Sequence, residues 1–163
     1  MARGDGRIAL LLEFLDQAFD SHGWHGTTLR GALKGLTPRE ALWRPGSKRH
    51  NIWELVLHAA YWKYAVARRL VGAPRGSFPR APSNWPRLPA RPDAAAWVAD
   101  VALLDIQHVL LRETVRRLSP AKLDARPPQG TWTNAEQIHG VAAHDVYHTG
   151  QVQLIKRLNE ERR

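Results

Sequence analysis

A chain of 163 residues that is 44% hydrophobic and carries no cysteine is long and apolar enough for one domain with a real core, and not for a disordered protein. It has no disulfide, no thiolate ligand and no cysteine nucleophile, which fits a cytoplasmic protein, and no uninterrupted apolar run approaches the roughly 18 residues of a membrane span. The net charge of +9 raises nucleic acid as a partner, but the basic residues fall as dispersed pairs (Lys48-Arg49, Arg68-Arg69, Arg116-Arg117, Lys156-Arg157, Arg162-Arg163) with no nucleic-acid motif beside them, the pattern of a solvated surface.

The first helix is predicted over 7–20, where Ile8, Leu11, Leu12, Leu15 and Phe19 recur at helical spacing. Glu13 and Asp16 interrupt its apolar stretch and no small-residue cleavage site follows, so it reads as an amphipathic helix and not a signal peptide. The run SHGWHG breaks it, and a short helix is expected over 28–36. Thr37-Pro38-Arg39-Glu40 then starts another, with Thr as cap, Pro first and Glu third. Pro45-Gly46 ends it.

Asn51 and Glu54 open the second long helix as a capping box, and Gly72 stops it after Val71. The following segment, 73–92, holds six prolines and one tryptophan, Trp85. So long a connection in a small bundle is a crossover or a lid. The third long helix begins at Asp93. Trp97, Val101, Leu104, His108, Leu111, Val115 and Leu118 give it the alternating four-and-three spacing of bundle packing. Ser119-Pro120 is expected to end it. Thr133 and Glu136 form a further capping box, and the last helix runs from there to about residue 159. Four long helices with one long crossover make an all-α four-helix bundle, a single domain over residues 1–163.

Three histidines carry the functional reading. His144 and His148 stand at i and i+4, on one helix face and about 5–6 Å apart at Cβ, a spacing that lets two imidazoles grip one metal ion. A chain with 8 histidines meets such a pair by chance often enough that context must decide. With His144 as reference direction, Gln137, Val141, His148, Gln151, Val152 and Ile155 share its side, so the pair sits in the inward stripe. His58 shares its own stripe with Leu55, Tyr61, Trp62 and Ala65 and also points inward. Polar rings placed in a core need hydrogen-bond partners or a metal. His58 has the chemistry of a third ligand, and three protein ligands leave positions open.

The stretches IWELVLHAAYW and HGVAAHDVYHTGQVQLIKRL, the second with an H-x-x-x-H-x-G-Q signature, resemble the DinB-like superfamily of small metal-binding four-helix bundles. The resemblance spans most of the chain. It implies His58, His144 and His148 as metal ligands, a divalent ion such as zinc or nickel, and a homodimer. It also implies chemistry akin to the superfamily's thiol-dependent S-transferases. SHGWHG and the proline-rich SFPRAPSNWPRLPARP do not match the pattern, and both are candidates to shape a substrate pocket. The Trp24 and Trp85 regions are the candidate interfaces.

A metal held by three neutral imidazoles is a strong Lewis acid. Two chemistries follow: attack of an external low-molecular-weight thiol on a small-molecule electrophile, or hydrolysis of an ester or amide. The resemblance favours the first, and the residue chemistry does not separate them. A non-catalytic metal- or ligand-binding bundle is the third reading. Gln151, one turn beyond His148, is a candidate to hydrogen-bond a ligand in the site, against a packing role. Tyr61 is a candidate acid or substrate donor, against a core aromatic. Glu54 is read as a cap before a partner of His58. His108 is read as a hydrogen-bonded core histidine before a fourth ligand, His139 as exposed, and Asp145 as pointing about 100° away from the histidine stripe.

Overall fold

The computed structural model describes residues 6–128 and 130–162; Arg163, the last of the basic pairs, and the first five residues of the expected single domain lie outside them. The elements in chain order are α1 (Gly6–Phe19), α2 (Leu29–Ala32), α3 (Pro38–Leu42), α4 (Ile52–Leu70), α5 (Ala94–Arg116), α6 (Pro120–Leu123) and α7 (Asn134–Glu161). Among the described residues there is no strand, only an isolated bridge between Gly23 and Gly26. α4 packs against α5 and α7, and α1 against the same two helices. The four long helices thus close a ring of neighbours around the core, as the sequence pattern requires of a bundle.

Local chemistry explains the helix starts. Thr37, Asn51 and Thr133 each accept from the backbone N–H three residues on, and the glutamate at that position reaches back to the cap N–H. Each box satisfies two otherwise orphaned donors, and a cap contributes about 1 kcal/mol. α4 ends where Gly72 adopts φ +68°, the left-handed conformation that glycine takes at least cost. Ser119-Pro120 departs from its expected role as a plain stop. α5 ends before it, at Arg116, and the dipeptide opens α6 with Pro120 in its first turn, where a missing N–H costs nothing.

The core has two apolar layers. One gathers Trp53, Leu57, Leu104 and Val152, and the other Leu15, Val66, Leu111 and Ile138. Near where the two sets meet along each helix, α4, α5 and α7 change character together. They contribute buried His58 and Lys63, then Gln107 and His108, then Asp145, His148 and Thr149. The molecule therefore carries a polar belt between two hydrophobic layers, and the histidines belong to it.

This belt corrects the predicted orientation of α7. Its buried residues are Asn134, Ile138, Val141, Ala142, Asp145, His148, Thr149, Val152, Ile155 and Asn159, so the inward stripe runs through Asp145, and His144 is half-buried on its flank. α7 packs against α1 and α2 as well as α4, and several partners bury a wider face than a single stripe centred on His144. α5 is long and apolar enough, by length and composition, to cross a membrane. Its Trp97, Val101, Leu104, His108, Leu111 and Val115 are buried in the bundle, which is the place of a core helix.

The proline-rich crossover is tied to the bundle along its length. Ser77 donates from its backbone N–H to the Tyr64 hydroxyl at 3.1 Å, and Arg80 donates to the buried Asp100 carboxylate at 2.6 Å. Asp100 also accepts from Trp53 Nε1 at 2.9 Å.

Candidate metal centre

The i,i+4 spacing on α7 and the inward face of α4 bring the three predicted ligands together. His144 Nε2 lies 3.1 Å from His58 Nε2 and 2.9 Å from His148 Nε2. A tetrahedral ion with metal–nitrogen bonds of about 2.0–2.1 Å separates its nitrogen ligands by roughly 3.3 Å, so the three rings stand close to the spacing that such an ion requires.

Hydrogen bonds on the far side of two rings fix which nitrogen is free. His58 Nδ1 donates to the Asn84 carbonyl at 2.5 Å, and His148 Nδ1 donates to Gln151 Oε1 at 2.6 Å. Both acceptors can only accept, so each Nδ1 carries its proton and each Nε2 presents a lone pair toward His144. His144 has one Nε2 and cannot donate separate hydrogen bonds to both, and its Nδ1 is buried without a partner. Two lone pairs converging on the single Nε2 of His144 form an acceptor-rich knot that a cation resolves. The donor set fits a metal ion.

The electrostatics agree. Burial, with His148 and His50 nearby, pushes His58 down to about 4 against the opposing hydrogen bond to Asn84. Burial and the neighbouring His148, His58 and Lys63 push His144 down to about 3. His148 is lowered by burial, opposed by its bond to Gln151. The rings are thus neutral at neutral pH, the form that ligates.

The crossover supplies groups that sequence reasoning did not assign to the site. Asn84 adopts φ +71°, a left-handed conformation that asparagine tolerates better than most residues. Its carbonyl faces His58 and its Oδ1 accepts from Trp62 Nε1 at 2.9 Å. Trp85 stacks on His58 at 3.8 Å and on His50 at 3.6 Å between ring centroids. The Trp85 region, weighed as an interface, is therefore packed onto the histidine cluster through His58, whereas Trp24 is fully exposed. The available signal was an Asn-Trp pair inside a proline-rich segment long enough to cover something.

The other sequence candidates divide. Gln151 joins the centre through His148, and its Nε2 donates to the Tyr147 hydroxyl at 3.3 Å. Tyr61 packs among Trp62, Tyr64 and Phe78, and among the described residues no hydrogen bond or ring contact joins it to the three histidines. Glu54 serves its capping box and pairs with Arg44 and His50. His139 is exposed, stacked on Phe14 at 5.2 Å. His108 faces Lys63, with Nδ1 3.3 Å from Nζ, and stacks on Phe19 at 3.9 Å. It is a core histidine outside the cluster.

Because Gln151 holds the His148 ring without touching the ion's position, its replacement tests the hydrogen bond alone. Gln151→Leu is expected to weaken metal binding about 10- to 100-fold with the unfolding midpoint little changed. Competitive titration with a chromogenic chelator checks this.

Two cavities reach the histidines. One, of about 620 Å³, is bordered by His58, His144, Trp62, Val66, Trp132 and Val141. The other, of about 660 Å³, is bordered by all three histidines together with Lys48, Arg49 and His50. Asn84 borders the first and Trp85 the second. SHGWHG borders neither. Its His25 lines a separate cavity with Val146 and Thr149.

A helical bundle that gathers three neutral imidazoles from α4 and α7 defines a class of protein able to bind a metal ion. The family comparison agrees: the model of the DinB superfamily matches residues 23–152. The chain belongs to the DinB superfamily. Comparison with curated proteins and with solved structures gave no match.

Proposed function

We propose that this protein is a divalent-metal-dependent enzyme, an S-transferase that uses an external low-molecular-weight thiol. The observation that carries the reading is a three-imidazole centre reached by two cavities. A structural metal is commonly closed off by four protein ligands, whereas a catalytic one keeps positions open toward substrate. The chain has no cysteine, so any thiol must come from outside, and two cavities give two reactants separate approaches.

The ion is zinc or nickel, both suited to imidazole donors. His58, His144 and His148 hold it. When bound, it supplies the Lewis acidity that lowers the pKa of a thiol or water in its open positions. The Asn84 carbonyl and Gln151 Oε1 keep the Nδ1 protons in place and the Nε2 atoms available. Trp85 covers the face of His58 and excludes water from it.

The test is the rate at which a thiol displaces bromide from monobromobimane in the presence of zinc- or nickel-loaded protein. The expected result is a rate proportional to added thiol and lost on removing the metal with a chelator. A metal-dependent release of nitrophenol from p-nitrophenyl acetate without thiol would select the hydrolase reading instead. Metal uptake with neither activity would select a binding protein.

A further inference from the structure

The two cavities differ in charge and in wall chemistry, and the difference assigns their occupants. Around the second cavity Lys48, Arg49 and His50 stand together with no carboxylate in its lining. Neither Lys48 nor Arg49 enters an ion pair among the described residues. Glu54, the carboxylate nearest to them in sequence, is already held by Arg44, His50 and its own capping box. Unpaired cations at the mouth of a low-dielectric cavity focus an attractive field on anions.

The first cavity is balanced and greasy. Its walls are Trp62, Val66, Trp132 and Val141, and its charged members are one cation, Arg69, and one carboxylate, Glu136. The Arg69 guanidinium lies over the Trp62 ring at 5.5 Å, and Glu136 is engaged by Thr133. Such walls favour an apolar or aromatic ligand through area and stacking. The crossover is the partition between the two, with Asn84 fastened to Trp62 and His58 on one side and Trp85 stacked on His58 and His50 on the other. Both cavities end on His58 and His144, so ligands in the two approach one point from different directions.

We infer that, within the S-transferase reading on which this rests, these are two subsites: the Lys48/Arg49 cavity takes a carboxylate-bearing thiol, and the Trp62/Trp132 cavity takes an apolar electrophile. The sulfur forms a bond to the electrophilic carbon as the bond from that carbon to its leaving group breaks. The leaving group departs with the electron pair, and the thiol proton passes to solvent.

The experiment uses cobalt(II)-loaded protein, in which a bound thiol is read directly by sulfur-to-cobalt absorption, independently of turnover. It is titrated with 3-mercaptopropionate, which is anionic, and with 2-mercaptoethanol, which is neutral. In K48E/R49E the dissociation constant for 3-mercaptopropionate is expected to rise about tenfold while that for 2-mercaptoethanol changes less than about twofold. In Trp132→Ala both thiol titrations are expected to keep the parent values while KM for monobromobimane rises. Equal weakening of both thiols in K48E/R49E, or no weakening, would overturn the assignment of the basic subsite. Selective loss of the anionic thiol in Trp132→Ala would reverse the two. A parent chain that takes up no cobalt would overturn the metal centre itself, and that failure is visible before any thiol is added.

Discussion

His148→Ala is expected to abolish metal retention. Parent protein purified without an affinity tag should carry about one divalent ion per chain, and the variant should lose nearly all of it on dialysis, measured by elemental analysis. The loss is disproportionate to one ligand of three because His148 sits between a fixed proton on Nδ1 and a lone pair directed at the cluster, and two imidazoles alone hold an ion far less tightly. His58→Ala should behave alike and should also release Trp85 from one of its two stacking partners. The pH dependence follows from the lowered basicities. Protons compete with metal for Nε2, and His58 and His144 take up protons only near about 4 and about 3. Ordinary histidines begin to protonate near 6.5. Metal content should therefore stay level as the pH falls from 8 to about 5.5 and drop only in more acidic buffer. A parent that stays metal-free after incubation with zinc and nickel would reduce the three rings to core polar residues and remove the enzyme reading's chemistry.

The parts of this site that were legible in the sequence are those with short-range causes. His144 and His148 are neighbours because of helix geometry, and the three capping boxes are four-residue motifs, so both were readable without knowing the fold. His58 was readable as an inward residue on its stripe. Gln151 stood where an i,i+3 partner of His148 must stand, and its hydrogen bond was there to be drawn from spacing alone. Asn84 and Trp85 were not, because the path of a loop over α4 depends on where α5 and α7 place their side chains. Lys63 was missed for a different reason. A lysine on a helix reads as solvent-facing by default, and only an acid at the matching level of another helix reverses that. The acid is Asp145, which the stripe centred on His144 had turned aside. One turn of about 100° in the reading of α7, and a lysine on α4 given no partner, thus concealed one interaction.

That interaction gives the largest stability effect expected away from the ligands. Lys63 and Asp145 form an ion pair between α4 and α7 with both side chains fully buried. Lys63 Nζ also approaches His108 Nδ1 at 3.3 Å and lies over the Phe19 ring at 4.7 Å. The far side of His108 faces Asp16 at 3.8 Å, and Asp16 is held by Arg112 at 2.7 Å, so the chain of contacts runs from the core to the surface. Burial pushes the Asp145 carboxyl up while Lys63 opposes it, and Asp145 Oδ1 has no hydrogen-bond partner. Lys63→Met leaves that carboxylate buried beside a thioether and should destabilise the fold by about 3–5 kcal/mol, measured by urea unfolding. Removing both charges, as Lys63→Met with Asp145→Leu, should recover most of the loss, because a buried pair with an unsatisfied oxygen contributes little beyond cancelling its own desolvation. The double variant should also still bind metal, since the apolar layers on either side of the belt continue to hold α4 against α7. If instead it stays as unstable as the single variant, or folds without binding metal, the pair sets the register between the two ligand-bearing helices, and charge in this core serves the metal centre by placing His58 opposite His144.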